Sequence, residues 1–137
     1  MKYAGQQIAV IGAGSSGKAA ARLARAHGAV VTLADSGTSD SLRNLVTELA
    51  AEEIDVRIAE DAFVADPSCC EFCVVSPGID PASRLAQHFS RAGVRLISEI
   101  EFGFQNSSVP VVAITGTNGK TTTTELTSEI FNAVGLK

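Results

Sequence analysis

Apolar residues in this chain fall into two rhythms. Short, nearly unbroken runs at 8–11, 30–34, 55–58, 72–75, 94–97 and 111–114 are too brief for helices and rich in Val and Ile, which predicts strands buried on both faces. Between them the spacing turns helical. Residues 18–27 are alanine-rich, with Leu23 and Ala24 on one side, Arg22 and Arg25 nearer the other, and Gly28 placed as a left-handed cap. Leu42, Leu45, Val46, Leu49 and Ala50 form an amphipathic stripe, and Arg43, Glu48, Glu52 and Glu53 read as its solvated face. Asp80 and Pro81 read as the cap and first residue of a helix that turns Leu85, Phe89 and Ala92 inward and stops at Gly93. Ser98 and Glu101 form a capping box for a short helix through Phe102 and Phe104. The polar stretch 60–68, broken by Pro67, carries one short turn. A last helix follows Lys120, with Leu126, Ile130, Phe131 and Val134 on one stripe.

Regular alternation of strand and helix predicts an α/β fold: an open, parallel, five-stranded sheet with flanking helices over residues 1–108. Residues 106–110 read as a linker. The sixth run and the last helix, within 109–137, then begin a second domain. Only 17 residues follow Lys120, whereas a nucleotide-binding α/β domain needs on the order of 100 more, so this domain is expected to be incomplete here.

Composition narrows the class. With 137 residues, 45% of them hydrophobic, the chain can bury one substantial core. A net charge of −4 and a pI near 5.1 argue against nucleic acid or a membrane surface as partner. No signal-like or membrane-spanning run is present in the sequence, and a cytoplasmic location is expected. The glycosylation pattern at Asn106, Ser107 and Ser108 carries no weight without a secretory signal. Cys69, Cys70 and Cys73 lack a nearby fourth ligand, so Cys73 is expected to pack in a strand as a small hydrophobe, with all three thiols reduced.

Two glycine loops carry the chemistry. Gly12, Gly14 and Gly17 form G-x-G-x-x-G after the first strand, and Asp35 ends the second strand. This is the Rossmann dinucleotide fingerprint: Gly12 for the tight turn, Gly14 for backbone approach to phosphate, Gly17 for close helix packing. Residues 76–78 (Ser76, Pro77, Gly78) follow the fourth strand, and so share the carboxyl-end rim with Gly14, Ser15, Ser16 and Asp35. The second loop, Gly116, Thr117, Asn118, Gly119, Lys120, Thr121 and Thr122, follows the sixth run. It is a shortened phosphate loop, G-x-x-G-K-T, with Ile114 where the longer pattern has its first glycine. In such a loop backbone N–H groups and a helix N-terminus cradle the phosphates of ATP. Lys120 reaches the β- and γ-phosphates, and the Thr121 hydroxyl helps hold Mg²⁺.

These motifs in this order, with Ser76-Pro77-Gly78-Ile79, Ser98-Glu99-Ile100-Glu101 and Thr115-Gly116-Thr117-Asn118-Gly119-Lys120-Thr121-Thr122, resemble the Mur ligases, a superfamily that includes folylpolyglutamate synthetase. Asn118 and the Ser-Pro-Gly loop point to the branch that adds D-glutamate. The resemblance covers the whole chain, as a UDP-binding domain plus the first strand, phosphate loop and helix of a truncated ATPase domain. It implies a parent that phosphorylates the carboxylate of UDP-N-acetylmuramoyl-L-alanine with ATP and Mg²⁺, and lets D-glutamate displace phosphate from the acyl phosphate, in peptidoglycan synthesis. Ser15 and Ser16 would then lie near the UDP moiety, Asp35 and Ser36 on uracil, and Ser76, Pro77 and Gly78 along the sugar-phosphate path. Gly37 stands where relatives often carry a basic residue, which leaves one uracil contact in question.

The resemblance also sets expectations for these 137 residues alone. They should bind UDP but not ligate, since the family's remaining ligands lie outside them, and residues 110–137 should self-associate. Two other readings stay open: an NAD-binding module of a dehydrogenase or of a potassium-uptake regulator, with Asp35 on the adenosine ribose, and a scaffold that has lost its ligand.

Overall fold

The computed structural model describes residues 1–64 and 66–135, in two compact units, Met1–Asn106 and Ser107–Lys137. In the first unit the elements run β1 (Gln7–Ile11), α1 (Ser15–Ala26), β2 (Val30–Asp35), α2 (Asp40–Ala50), β3 (Ile54–Ile58), two 3₁₀ turns (Ala59–Phe63 and Pro67–Cys69), β4 (Phe72–Val75), α3 (Arg84–Arg91), β5 (Leu96–Ser98) and α4 (Glu99–Gln105). All pairings are parallel, in the order β3-β2-β1-β4-β5. The chain winds outward from β1 to β3, then returns to lay β4 on the other side of β1. The order therefore reverses between β1 and β4, where an open α/β sheet leaves a crevice at its carboxyl edge.

Each face of the sheet packs its own core, which is why the strand runs are apolar without interruption. Ile8, Val10, Val31, Leu33, Phe72 and Val74 point to one face, beneath the alanines of α1, Leu45 and Leu49 of α2, and Phe102 of α4. Ala9, Ile11, Ala34 and Cys73 point to the other, where Leu85, Ala86 and Phe89 of α3 cover them. Cys73 is fully buried in β4 as a small hydrophobe, and burial pushes its thiol well above the usual range. Tyr3, which no periodicity singled out, stacks on Phe102 and meets Phe72 edge-on, while its hydroxyl accepts from the Asn106 amide at 3.1 Å. Among the described residues no helix is long and apolar enough to cross a membrane.

Several local expectations need correction. β5 starts at Leu96 rather than Val94, because the Val94 N–H closes the end of α3 by donating to Phe89 O at 3.2 Å. α3 starts at Arg84 under Ser83, whose hydroxyl accepts from the Ala86 N–H. Asp80 does not cap it; its carboxylate accepts from Ala82 N–H at 2.7 Å in a local turn. Ala92 lies past the last helical residue and is exposed. The capping box of α4 is half-made: Ser98 accepts from the Glu101 N–H, but the Glu101 carboxylate takes the Gln105 amide instead. Phe102 is buried and Phe104 is 59% exposed. The polar stretch holds two 3₁₀ turns rather than one.

The second unit contains α5 (Lys120–Ala133). Residues 111–114 form no strand, and Val111 and Val112 are 55% and 60% exposed, against the expectation of a strand buried on both faces. A β-strand is stabilised by a neighbour that takes its N–H and C=O groups and by a layer over each face. Among the described residues of this unit there is neither. The stripe on α5 is likewise uncovered, with Leu126, Ile130 and Val134 exposed.

Candidate functional site

The carboxyl ends of β1, β2 and β4 build one rim. The Gly12 N–H donates to Ala34 O at 2.8 Å, extending the β1–β2 pairing by one residue, and the backbone then turns at φ 93. A Cβ on Gly12 would lie 2.8 Å from Ile79 and 3.0 Å from Ser76, so the loops after β1 and β4 touch with no room for a side chain. The buried Ser76 hydroxyl locks that contact by donating to Gly12 O at 3.0 Å. Gly17 is tighter still, since a Cβ there would stand 1.8 Å from Gly12 O. Gly14 is the opposite case: nothing lies within 4 Å of its absent Cβ, so its surface is open.

Gly14 is the N-cap of α1 and no side chain caps it. The first-turn N–H groups of α1 thus keep their donor capacity and the positive end of the helix dipole at the rim, the arrangement that favours an anion. Ser15 is exposed and Ser16 half-buried beside it.

Asp35 ties this loop to the next strand. One carboxylate oxygen accepts from Ala13 N–H and the other from Gly37 N–H, each at 2.8 Å. Ser36 is exposed next to it. Gly37 has no space for a side chain, because a Cβ would meet Leu42 at 2.7 Å and Asp35 at 3.0 Å. Its carbonyl accepts from the Ala59 N–H at 3.2 Å, and Ala59 holds a left-handed φ of 54 to reach it. Nothing in the sequence marks Ala59, since alanine gives no sign of a positive φ. After β4, Ile79 N–H donates to Ser76 O at 3.0 Å, closing a turn that presents Pro77 and Gly78 outward. The structure therefore brings Gly14, Ser15, Ser16, Asp35, Ser36, Gly37, Ser76, Pro77 and Gly78 to one edge. The Asp35 and Ser76 polar atoms also hold that edge together.

The second loop is described within its own unit. Gly116 and Gly119 take φ values of 149 and 77, both favouring glycine, and Gly119 is the N-cap of α5. The Lys120 ammonium lies over the loop, donating to Gly116 O and, at 3.5 Å, to Thr117 O. Thr121 and Thr122 are exposed in the first turn. A left-handed glycine turn, a helix N-terminus and an exposed ammonium thus lie together, an arrangement of donors and positive charge that favours an anion.

Known proteins of similar sequence include D-glutamate-adding ligases. The chain is 43% identical over 138 aligned positions, 100% of its length, to UDP-N-acetylmuramoylalanine–D-glutamate ligase of Geobacter metallireducens. It is 40% identical over 99% of its length to the enzyme of that name from Chromobacterium violaceum. In both cases it spans 30% of the relative's length. Among solved structures, a murein peptide ligase from Psychrobacter arcticus superposes with a TM-score of 0.63 at 25% identity, over 96% of this chain and 27% of that one. No protein-family model matches the chain. The resemblance drawn from the glycine motifs and the Ser-Pro-Gly loop is thus borne out along the full sequence.

Proposed function

We propose that this chain, homologous over its whole length to the N-terminal part of UDP-N-acetylmuramoylalanine–D-glutamate ligases, serves an ATP-dependent ligase of peptidoglycan synthesis. The whole protein would join D-glutamate to UDP-N-acetylmuramoyl-L-alanine through an acyl phosphate. Residues 1–108 are its UDP-binding domain, and 109–137 begin its ATP-binding domain. The observation that carries this reading is the rim, where an uncapped helix N-terminus, the acid Asp35 and the 76–78 turn meet in a chain 43% identical to such a ligase.

In this reading the α1 first turn, with Ser15 and Ser16, takes the diphosphate by backbone donation. Asp35 and Ser36 face the uracil, with Gly37 packed against Leu42 and Asp35 and offering no side chain of its own. Ser76 stays buried as a brace, while Pro77 and Gly78 shape the sugar path. In the second loop the N–H groups around Gly119 and the Lys120 ammonium orient a triphosphate and offset its charge, and Thr121 offers a hydroxyl to Mg²⁺. ATP with Mg²⁺, when bound, supplies the phosphoryl group that activates the substrate carboxylate. Residues 1–137, which span 30% of the relatives' length, would bind the UDP end without ligating.

A ligand comparison tests the reading. UDP-N-acetylmuramoyl-L-alanine should raise the melting temperature of the chain more than NADH does, following RT ln(1 + [L]/Kd). A larger shift with NADH would replace this reading with a nicotinamide-binding one, and no shift with either would favour a scaffold.

A further inference from the structure

The residues gathered at the rim include an acid, Asp35, and no base. A diphosphate held there brings more negative charge than the end of α1 offsets, which is about half a unit. A cation within reach of the α1 first turn would complete the balance, and the first unit leaves one unengaged. On α1, Arg22 bridges to Glu48 and Glu52, and Arg25 bridges to Glu53. Every other lysine or arginine of this unit but one has an acid, an oxygen acceptor or a ring as partner. Among its described residues, Lys18 alone of the lysines and arginines has no side-chain hydrogen bond, ion pair or ring contact, although it is half-buried.

Its place follows from the helix. The Lys18 N–H donates to Gly14 O at 3.0 Å, so Lys18 closes the turn that Gly14 caps. Lys18, Arg22 and Arg25 recur at i, i+4 and i+7 and share a face. The bridges from Arg22 and Arg25 turn that face toward α2, while Ser16, Ala20 and Leu23 line a groove against α4 on the other side. Lys18 therefore lies on the side of α1 next to the loop that follows Asp35. Both helices begin at the carboxyl edge of a parallel sheet, so one turn back from Arg22 leads past Glu48 to the first part of α2. Residues 41–47 there contain no acid, and Asp40 before them is 96% exposed and faces Arg43 at 4.0 Å. Helical side chains lean toward the N-terminus, so a flexible lysine at this position reaches back over the first turn, toward the rim. Its ammonium can then meet phosphate oxygens as a point charge.

We propose that Lys18 is the cation of the UDP rim, offsetting the diphosphate charge beside the α1 N-terminus while Asp35 and Ser36 take the uracil. This deepens the UDP-site reading and rests on it. Its test is a titration of the isotope-labelled chain with UDP and, separately, with uridine, read from the amides of residues 14–17. Lys18→Met keeps an apolar stem without charge, and Lys18→Arg keeps the charge. The UDP midpoint should rise at least about tenfold in Lys18→Met and clearly less in Lys18→Arg, as for a lost charge-assisted bond. The uridine midpoint should stay the same in both, and added NaCl should weaken UDP binding less in Lys18→Met than in the parent chain. A UDP midpoint unchanged in Lys18→Met would make Lys18 a solvated helix residue and overturn the proposal while leaving the rim intact. Equal losses for UDP and uridine would also overturn it, since they report on the fold rather than on charge. No saturation by UDP in the parent chain would overturn the UDP-site reading, and this proposal with it.

Discussion

The carboxylate of Asp35 accepts the backbone N–H of Ala13 across 2.8 Å, twenty-two residues back in the chain, while its other oxygen takes the Gly37 N–H. The acid at the end of β2 is therefore a clasp between two loops as well as a group facing the rim. Removing it leaves a buried donor on Ala13 without a partner. Asp35→Ala should cost about 1–3 kcal/mol of folding stability, and weaken UDP binding beyond that. Asp35→Asn retains one acceptor and should lose less. Urea unfolding of both variants checks the order; an Ala variant as stable as the parent chain would show the clasp contributes nothing.

Gly17 and Gly14 should respond oppositely to the same methyl group. Gly17→Ala drives a Cβ into the Gly12 carbonyl and should destabilise by at least the ~1–3 kcal/mol typical of overpacking. Gly14 has an ordinary φ of −69 and open space, so Gly14→Ala should stay within about 0.5 kcal/mol of the parent. Its methyl would still stand where phosphate must approach, so UDP affinity should fall. Melting curves with and without UDP separate the two effects.

Arg22 on α1 reaches across to Glu52 at 2.7 Å and to Glu48 at 3.2 Å on and beyond α2. The hydrogen bond from Arg22 holds the Glu52 carboxyl below its ordinary value. A carboxylate with a lowered folded-state pKa adds stability that is present above its unfolded pKa and is lost as pH falls through the folded value. Stability should therefore decline on the acid side of the ordinary carboxylate range. Arg22→Gln should flatten that part of the profile, and added salt should do so partly, since the groups are exposed. Identical acid limbs for the two chains would remove the assignment.

The apolar stripe of α5 leaves Leu126, Ile130 and Val134 between 57% and 66% exposed, and the unpaired backbone at 111–114 precedes it. Such surfaces associate, because each apolar side chain is worth about 1.5–3 kcal/mol when removed from water. Light scattering of the chain should show self-association through residues 110–137. Ile130→Asp should shift it toward monomer while leaving the melting of the first unit unchanged. A monomer at high concentration in the parent chain would sink this expectation.

Much of the fold was legible in the residues themselves. The runs at 8–11, 30–34, 55–58 and 72–75 became β1 to β4 because a strand covered on both faces must be apolar at consecutive positions, and helices cannot hide in four residues. Gly28 ended α1 with φ 89, as a residue free of a Cβ allows. The glycine motifs announced tight loops that end in helix N-caps at Gly14 and Gly119, since their spacing is set by local backbone geometry. What the sequence left open was whatever depends on a distant partner. It could not say that Ser76 would turn its hydroxyl inward to Gly12, that Asp35 would be bonded to Ala13, or that Ala59 would hold a positive φ to reach Gly37. Nor could it say that Tyr3 would complete the aromatic cluster under α4. The run at 111–114 makes the same point from the other side. Its residues have the composition of a central strand, but a strand exists only where neighbouring chains take its hydrogen bonds, and that is decided by tertiary structure rather than by the four residues.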